Sequence, residues 1–139
     1  YYIHVDGDGH QGDKMSGSWI RADKRLAIYL RDDCRCLYCG TQVVVGAPAD
    51  VLDRATLDHV VAQNLGGGNE AANLVTACGT CNSKKQDLSK RQWSKKAKAD
   101  GITTDTGKMW AGVRRQTRKN LKGYRKAAKT IIAKRQEEA

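Results

Sequence analysis

Two short cysteine pairs constrain this chain more than anything else in it: Cys36-Leu-Tyr-Cys39 and Cys78-Gly-Thr-Cys81. Cys-x-x-Cys spacing lets two thiolates of one tight turn grip a tetrahedral zinc ion, and two such turns complete a closed four-sulfur shell. Gly40 follows the first pair and Gly79 lies inside the second, where backbone has to bend closely around a metal. A closed shell leaves no open coordination position, so its expected role is structural. The insert between the pairs, 40–77, is longer than a simple zinc ribbon requires and must house something else. Cys34 could compete as a ligand or be a spare thiol, and the spare is favoured because Cys36 keeps the pair spacing. With five cysteines in all, a pure disulfide framework is disfavoured.

A chain of 139 residues fits one domain with a modest core. It has no Phe and only 6% aromatic residues, so a metal staple would help it fold. The net charge of +10 is unevenly placed. Residues 1–83 hold seven Lys/Arg against ten Asp/Glu, whereas 84–139 hold eighteen against five. A basic half of that density is most commonly neutralised by a polyphosphate backbone. No stretch has the length and apolarity of a membrane span and no cleavable signal is present, so the expectation is a soluble, cytoplasmic protein of a reducing compartment with no membrane partner.

Along the chain, 1–17 is rich in Gly and Asp and reads as a flexible arm. Its Asp6-Gly-Asp8-Gly-His10 run fails as a calcium loop, because Gln11 and Gly17 stand where Gly and a bidentate Glu are needed. Trp19, Ala22, Leu26 and Tyr29 recur at helical spacing with Ser18 as an N-cap, predicting a helix over 18–32. Val43 to Val45 predicts a short strand, 55–61 a second, and Leu74 to Thr76 a partner returning after Gly66-Gly67-Gly68-Asn69. A helix is expected from Asn82 towards Gly101. From Trp110, a stripe of Val113, Thr117, Leu121, Tyr124, Ala128 and Ile131 keeps helical period, in one helix or in two broken near Gly123. The organisation expected is an arm at 1–17, a catalytic and zinc-binding domain at 18–100, and a basic helical extension at 101–139.

Residue types suited to phosphodiester hydrolysis cluster in the insert and just after it. Such an ester needs a metal to neutralise developing charge and a base to deprotonate water. Asp58 and Asn82 could supply hard oxygen ligands for Mg²⁺ or Mn²⁺, and His59 could be the base. Neighbours on a strand point to opposite faces, so Asp58 and His59 can serve one phosphate only at a twisted or bulged strand end. Asn69 reads as a turn residue rather than a ligand.

Together, Cys36-Leu-Tyr-Cys39-Gly40, Leu57-Asp58-His59-Val60, Gly66-Gly67-Gly68-Asn69 leading to Asn73-Leu74, and Cys78-Gly-Thr-Cys81-Asn82 with Lys85 resemble the HNH, or ββα-metal, endonucleases over 36–88. The resemblance implies a small ββα-metal core with zinc knuckles and an N-terminal helix before them; with the basic C-terminal helices read above, the fold expected is α+β. It implies His59 as general base, Asn73 as brace of the loop that orients it, Asp58 with Asn82 as holders of the catalytic metal, and Lys85 as a phosphate contact. The family's last His is Asn82 here, an arrangement similar to that of phage Holliday-junction resolving endonucleases. An amide oxygen holds a hard cation more weakly than a carboxylate, so millimolar Mg²⁺ or Mn²⁺ dependence is expected beside structural Zn²⁺.

The partner implied is DNA, duplex or branched, held through phosphates by Lys84, Lys85 and the basic face Arg114, Arg115, Arg118, Lys119, Lys122, Arg125 and Lys126. Two other readings compete. A catalytically silent zinc module that only binds nucleic acid would have no need of Asp58 and His59. An RNA-cutting nuclease of the same fold would want base-stacking aromatics, of which the basic half has few.

Overall fold

The structure, a computed structural model, describes residues 20–103 and 105–138. The arm at 1–17 and the Ser18 cap lie outside the described residues. The first helix, α1, spans Ala22–Arg31 and buries Leu26, Ala27, Ile28 and Tyr29. Its end is abrupt, because Asp33 and Cys34 both take left-handed backbone, with φ of 58° and 52°. The Cys34 amide closes the turn on the Tyr29 carbonyl at 2.8 Å. Strain of this kind costs about 1–3 kcal/mol per residue and persists only where the surroundings impose it. Here they do. The buried Arg31 guanidinium grips both Asp32 oxygens at 2.9 and 3.0 Å and donates to the carbonyls of Ala71 and Leu74. Asp32 in turn accepts from the Thr76 amide at 2.9 Å.

Among the described residues the sheet is a single antiparallel pair, β1 (Ala55–His59) and β2 (Leu74–Cys78), in the register Ala55 to Cys78 through His59 to Leu74. Every residue of β2 is buried, as expected of a strand covered on both faces. Two single 3₁₀ turns, Gln63–Leu65 and Ala71–Asn73, lie in the crossing loop. A short helix, α2 (Gly79–Lys85), follows β2 directly, giving strand, loop, strand and helix in order. This is an α+β fold with the ββα arrangement that the sequence implied.

Three local differences from the sequence reading have physical causes. Val43 to Val45 is not a continuous strand; Val44 makes one parallel bridge to Arg54 while Val43 and Val45 point into the core. The helix expected over 82–100 is two, α2 and α3 (Lys90–Ala99), separated at Gln86, whose φ is 49°. Ser89 starts α3 with a reciprocal capping box to Gln92, a signal that fixes a new helix start whatever precedes it. The last helix, α4, runs unbroken through Thr106–Glu138 despite Gly112 and Gly123. Each internal Gly costs about 1 kcal/mol, but burying Trp110 or Val113 returns about 1.5–3 kcal/mol each.

Those contacts make 106–128 part of the core rather than an appendage. Trp110, Val113 and Ala128 pack with Leu26, Tyr29, Tyr38 and Trp93 in one cluster, and α4 lies along α1. Tyr38 is central to it, edge-on to Trp93 at 5.2 Å and to Trp110 at 6.5 Å between ring centroids. No helix among the described residues is long and apolar enough to cross a membrane.

Candidate active site

The two knuckles meet at the end of the sheet. Cys36 and Cys39 lie on the turn after α1, Cys78 ends β2 and Cys81 sits in the first turn of α2, and the four sulfurs are all within 4.8 Å of one another. Cys39 and Cys78 sulfurs are 3.7 Å apart, against about 3.8 Å for the edge of a tetrahedron with 2.3 Å metal–sulfur bonds. Backbone amides of Cys39 and Cys81 point at the sulfurs of Cys36 and Cys78, at 3.5 and 3.4 Å. A hydrogen bond from Cys81 draws the Cys36 thiol down to about 5 against the effect of burial, while the same contact pushes Cys81 up. Four sulfurs so close cannot all ionise without a cation among them, so the donor set fits a metal. Cys34 is outside this cluster, buried in the core, where desolvation raises its thiol to about 11.

Beside the knuckles opens a cleft of about 330 Å³, lined among others by Asp58, His59, Asn64, Asn82 and Asp87. Asp58 and His59 are the last two residues of β1, and both border it. Asn82 reaches it from α2; its amide nitrogen donates to the Thr56 hydroxyl at 2.9 Å, which leaves its carbonyl oxygen free of that bond. Asp58 is almost fully buried. Tyr38 donates to Oδ2 at 2.6 Å and the Lys85 ammonium lies 3.3 Å from Oδ1. Burial raises the Asp58 carboxyl, with Lys85 and Tyr38 pulling the other way. Two partners leave unused lone pairs on a carboxylate, so the Asp58 and Asn82 oxygens fit a hard divalent cation.

Lys85 departs from the expectation. Its side chain is fully buried, and Nζ also donates to the His59 carbonyl at 2.8 Å. Asn82 and Lys85 are three apart on α2 and so share its face against β1. An ammonium without surface cannot meet a phosphate, so Lys85 holds the end of β1 in place.

The glycine-rich loop is held from within by Asn73. Its Oδ1 accepts from the Val61 amide at 2.8 Å, and its Nδ2 donates to the carbonyls of Val61 at 3.1 Å and Gly68 at 2.8 Å. Gly67 lies so close that a Cβ there would sit 1.7 Å from the Val61 oxygen. The loop delivers Asn69 to the histidine: His59 Nε2 is 2.8 Å from Asn69 Oδ1. Sequence reasoning gave Asn69 only a turn role, and nothing in a Gly-Gly-Gly-Asn run signals where its side chain points.

On α4, Arg114, Arg115, Arg118, Lys119, Lys122 and Lys126 are exposed, as is Lys84 on α2. Arg125 instead turns back to Asp23 on α1, at 3.4 Å.

Residues 36–88 match the family model described as HNH endonuclease, and so identify an HNH endonuclease domain. A CRISPR-associated endonuclease Cas9 of Actinomyces naeslundii is 34% identical over 89 residues. The match takes in 63% of this chain and only 7% of that protein. No solved structure gives a significant match.

Proposed function

We propose, from the HNH endonuclease domain at residues 36–88, that this chain is a divalent-metal-dependent endonuclease cutting DNA phosphodiester bonds, with His59 as the base that deprotonates water. The observation carrying this reading is the gathering of His59, Asp58 and Asn82 around one cleft, with the glycine-rich loop braced by Asn73 beside it. In the proposed roles, Asp58 and Asn82 present oxygens to Mg²⁺ or Mn²⁺, and Cys36, Cys39, Cys78 and Cys81 hold structural Zn²⁺. The divalent ion would supply Lewis-acid stabilisation of charge on the phosphate and leaving oxygen. The rest falls to the chain's own groups. His59 takes a proton from water at a ring nitrogen, Tyr38 and Lys85 keep the Asp58 carboxylate oriented, and Asn73 braces the glycine-rich loop.

The exposed cations of α4, with Lys84, are proposed to hold DNA through its phosphates. DNA is favoured over RNA because Trp93 and Trp110, the aromatics best suited to stack on splayed bases, are spent in the core. The test is to incubate supercoiled plasmid and labelled single-stranded RNA with purified protein in EDTA, Mg²⁺ or Mn²⁺. Metal-dependent nicking or linearisation of plasmid is expected. Cutting of RNA alone would reassign the substrate. Mobility shift of DNA without any cutting would favour a zinc-containing binding module.

A further inference from the structure

The contact between His59 and Asn69 has a consequence for which ring nitrogen can act. An amide oxygen only accepts, so a ring nitrogen 2.8 Å from Asn69 Oδ1 must carry the proton. We infer that Asn69 is a positioning residue that holds His59 in the Nε2–H tautomer and so leaves Nδ1 as the atom that accepts the proton from water. The inference rests on the nuclease reading above and adds a residue to it.

Asn69 is held too firmly to be an ordinary turn residue. The carbonyl just before it, of Gly68, accepts from Asn73 Nδ2 at 2.8 Å, and its own carbonyl accepts from the Lys24 ammonium on α1. Two side chains from different elements thus fix the peptide units on either side of this one residue. With the backbone so placed, its side chain reaches His59 Nε2 at 2.8 Å. The second ring constraint is at the backbone, where Lys85 donates to the His59 carbonyl at 2.8 Å. With backbone and Nε2 both tied, the imidazole has one orientation. A neutral imidazole held by one nitrogen offers the other as base, as a neighbouring acceptor does wherever a histidine tautomer matters.

The test uses zinc-loaded full-length protein labelled with ¹⁵N-histidine. Long-range ¹H–¹⁵N spectra, taken where the ring is neutral, report which nitrogen carries the proton, and a His59→Gln spectrum identifies the signal among the three histidines. Wild type is expected to show Nε2–H. Asn69→Ala is expected to show exchanging tautomers and a kcat on plasmid lower by about ten- to a hundredfold, with KM and melting temperature little changed. Asn69→Asp, which keeps an acceptor at that place, is expected to restore both the tautomer and most of kcat. A proton on Nδ1 in the wild type would overturn the inference, as would Asn69→Ala with unaltered tautomer and kcat. A wild type that shows Nε2–H but cuts nothing in any metal would sink the nuclease reading while leaving the hold of Asn69 on the ring intact.

Discussion

Removing the Lys85 ammonium should strand a buried carboxylate, and the size of the effect can be worked from the contacts. At 3.3 Å and an effective dielectric of about 20, the attraction to Asp58 is about 5 kcal/mol. Lys85→Met also deletes the charged hydrogen bond to the His59 carbonyl, worth about 1.5–3 kcal/mol. Relaxation and water entry recover part of this, and breaking one side of a buried pair typically costs about 3–5 kcal/mol. For a chain of this length each kcal/mol lowers Tm by about 3–4 °C, so Lys85→Met should melt about 9–20 °C below wild type. Asp58→Asn in the Lys85→Met background removes the stranded charge and should recover stability, with a coupling of about 2 kcal/mol or more. Urea denaturation of the zinc-loaded proteins at neutral pH measures all corners of the cycle. A single-variant loss under about 1 kcal/mol, the behaviour of an exposed pair, or strict additivity in the double variant, would refute the buried clamp.

Other outcomes follow from the same contacts. Gly67→Ala should collapse the loop, since its Cβ would meet the Val61 oxygen at 1.7 Å; the check is loss of nuclease activity with a Tm drop, which an Ala at exposed Gly123 should not produce. Asp23 tests the α1 to α4 clasp by pH. Burial raises its carboxyl, but the hydrogen bond from Arg125 and the charge of Arg21 lower it further, for a net fall below 3.8. Its folded value thus lies below its unfolded one, so its stabilisation is present above 3.8 and is lost as pH falls through the folded value. Denaturation curves of wild type and Asp23→Asn should accordingly converge in acid and separate as pH rises. Zinc removal by a strong chelator, or Cys81→Ser, should unfold the sheet end along with the knuckles, because Cys78 ends β2 and Cys81 lies in the first turn of α2; circular dichroism unchanged in metal-free protein would contradict a structural site.

The parts of this molecule that were legible in its sequence are those that local chemistry determines. Two Cys-x-x-Cys pairs announce a cluster wherever the chain takes them, and the Asp58-His59 strand with its return at Leu74 to Thr76 is fixed by β-propensity and a glycine turn. Depth was not legible. Lys85 carries the same letter as exposed Lys84, and only the packing of α2 on β1 sends one ammonium inward and the other out. Side-chain direction in an irregular loop was equally hidden, so Asn69 gave no sign of reaching His59. Helix α4 was seen as periodic and basic, but that its glycines would not break it depended on the apolar face of α1 across from it.

The measurement that bears most directly on the central claim is cleavage of supercoiled plasmid by wild type and His59→Ala side by side, in EDTA, Mg²⁺ and Mn²⁺, with matching zinc content and melting curves. The account predicts metal-dependent cutting by wild type and none by His59→Ala, with fold and zinc retained in both. Equal cutting by the two proteins would contradict it.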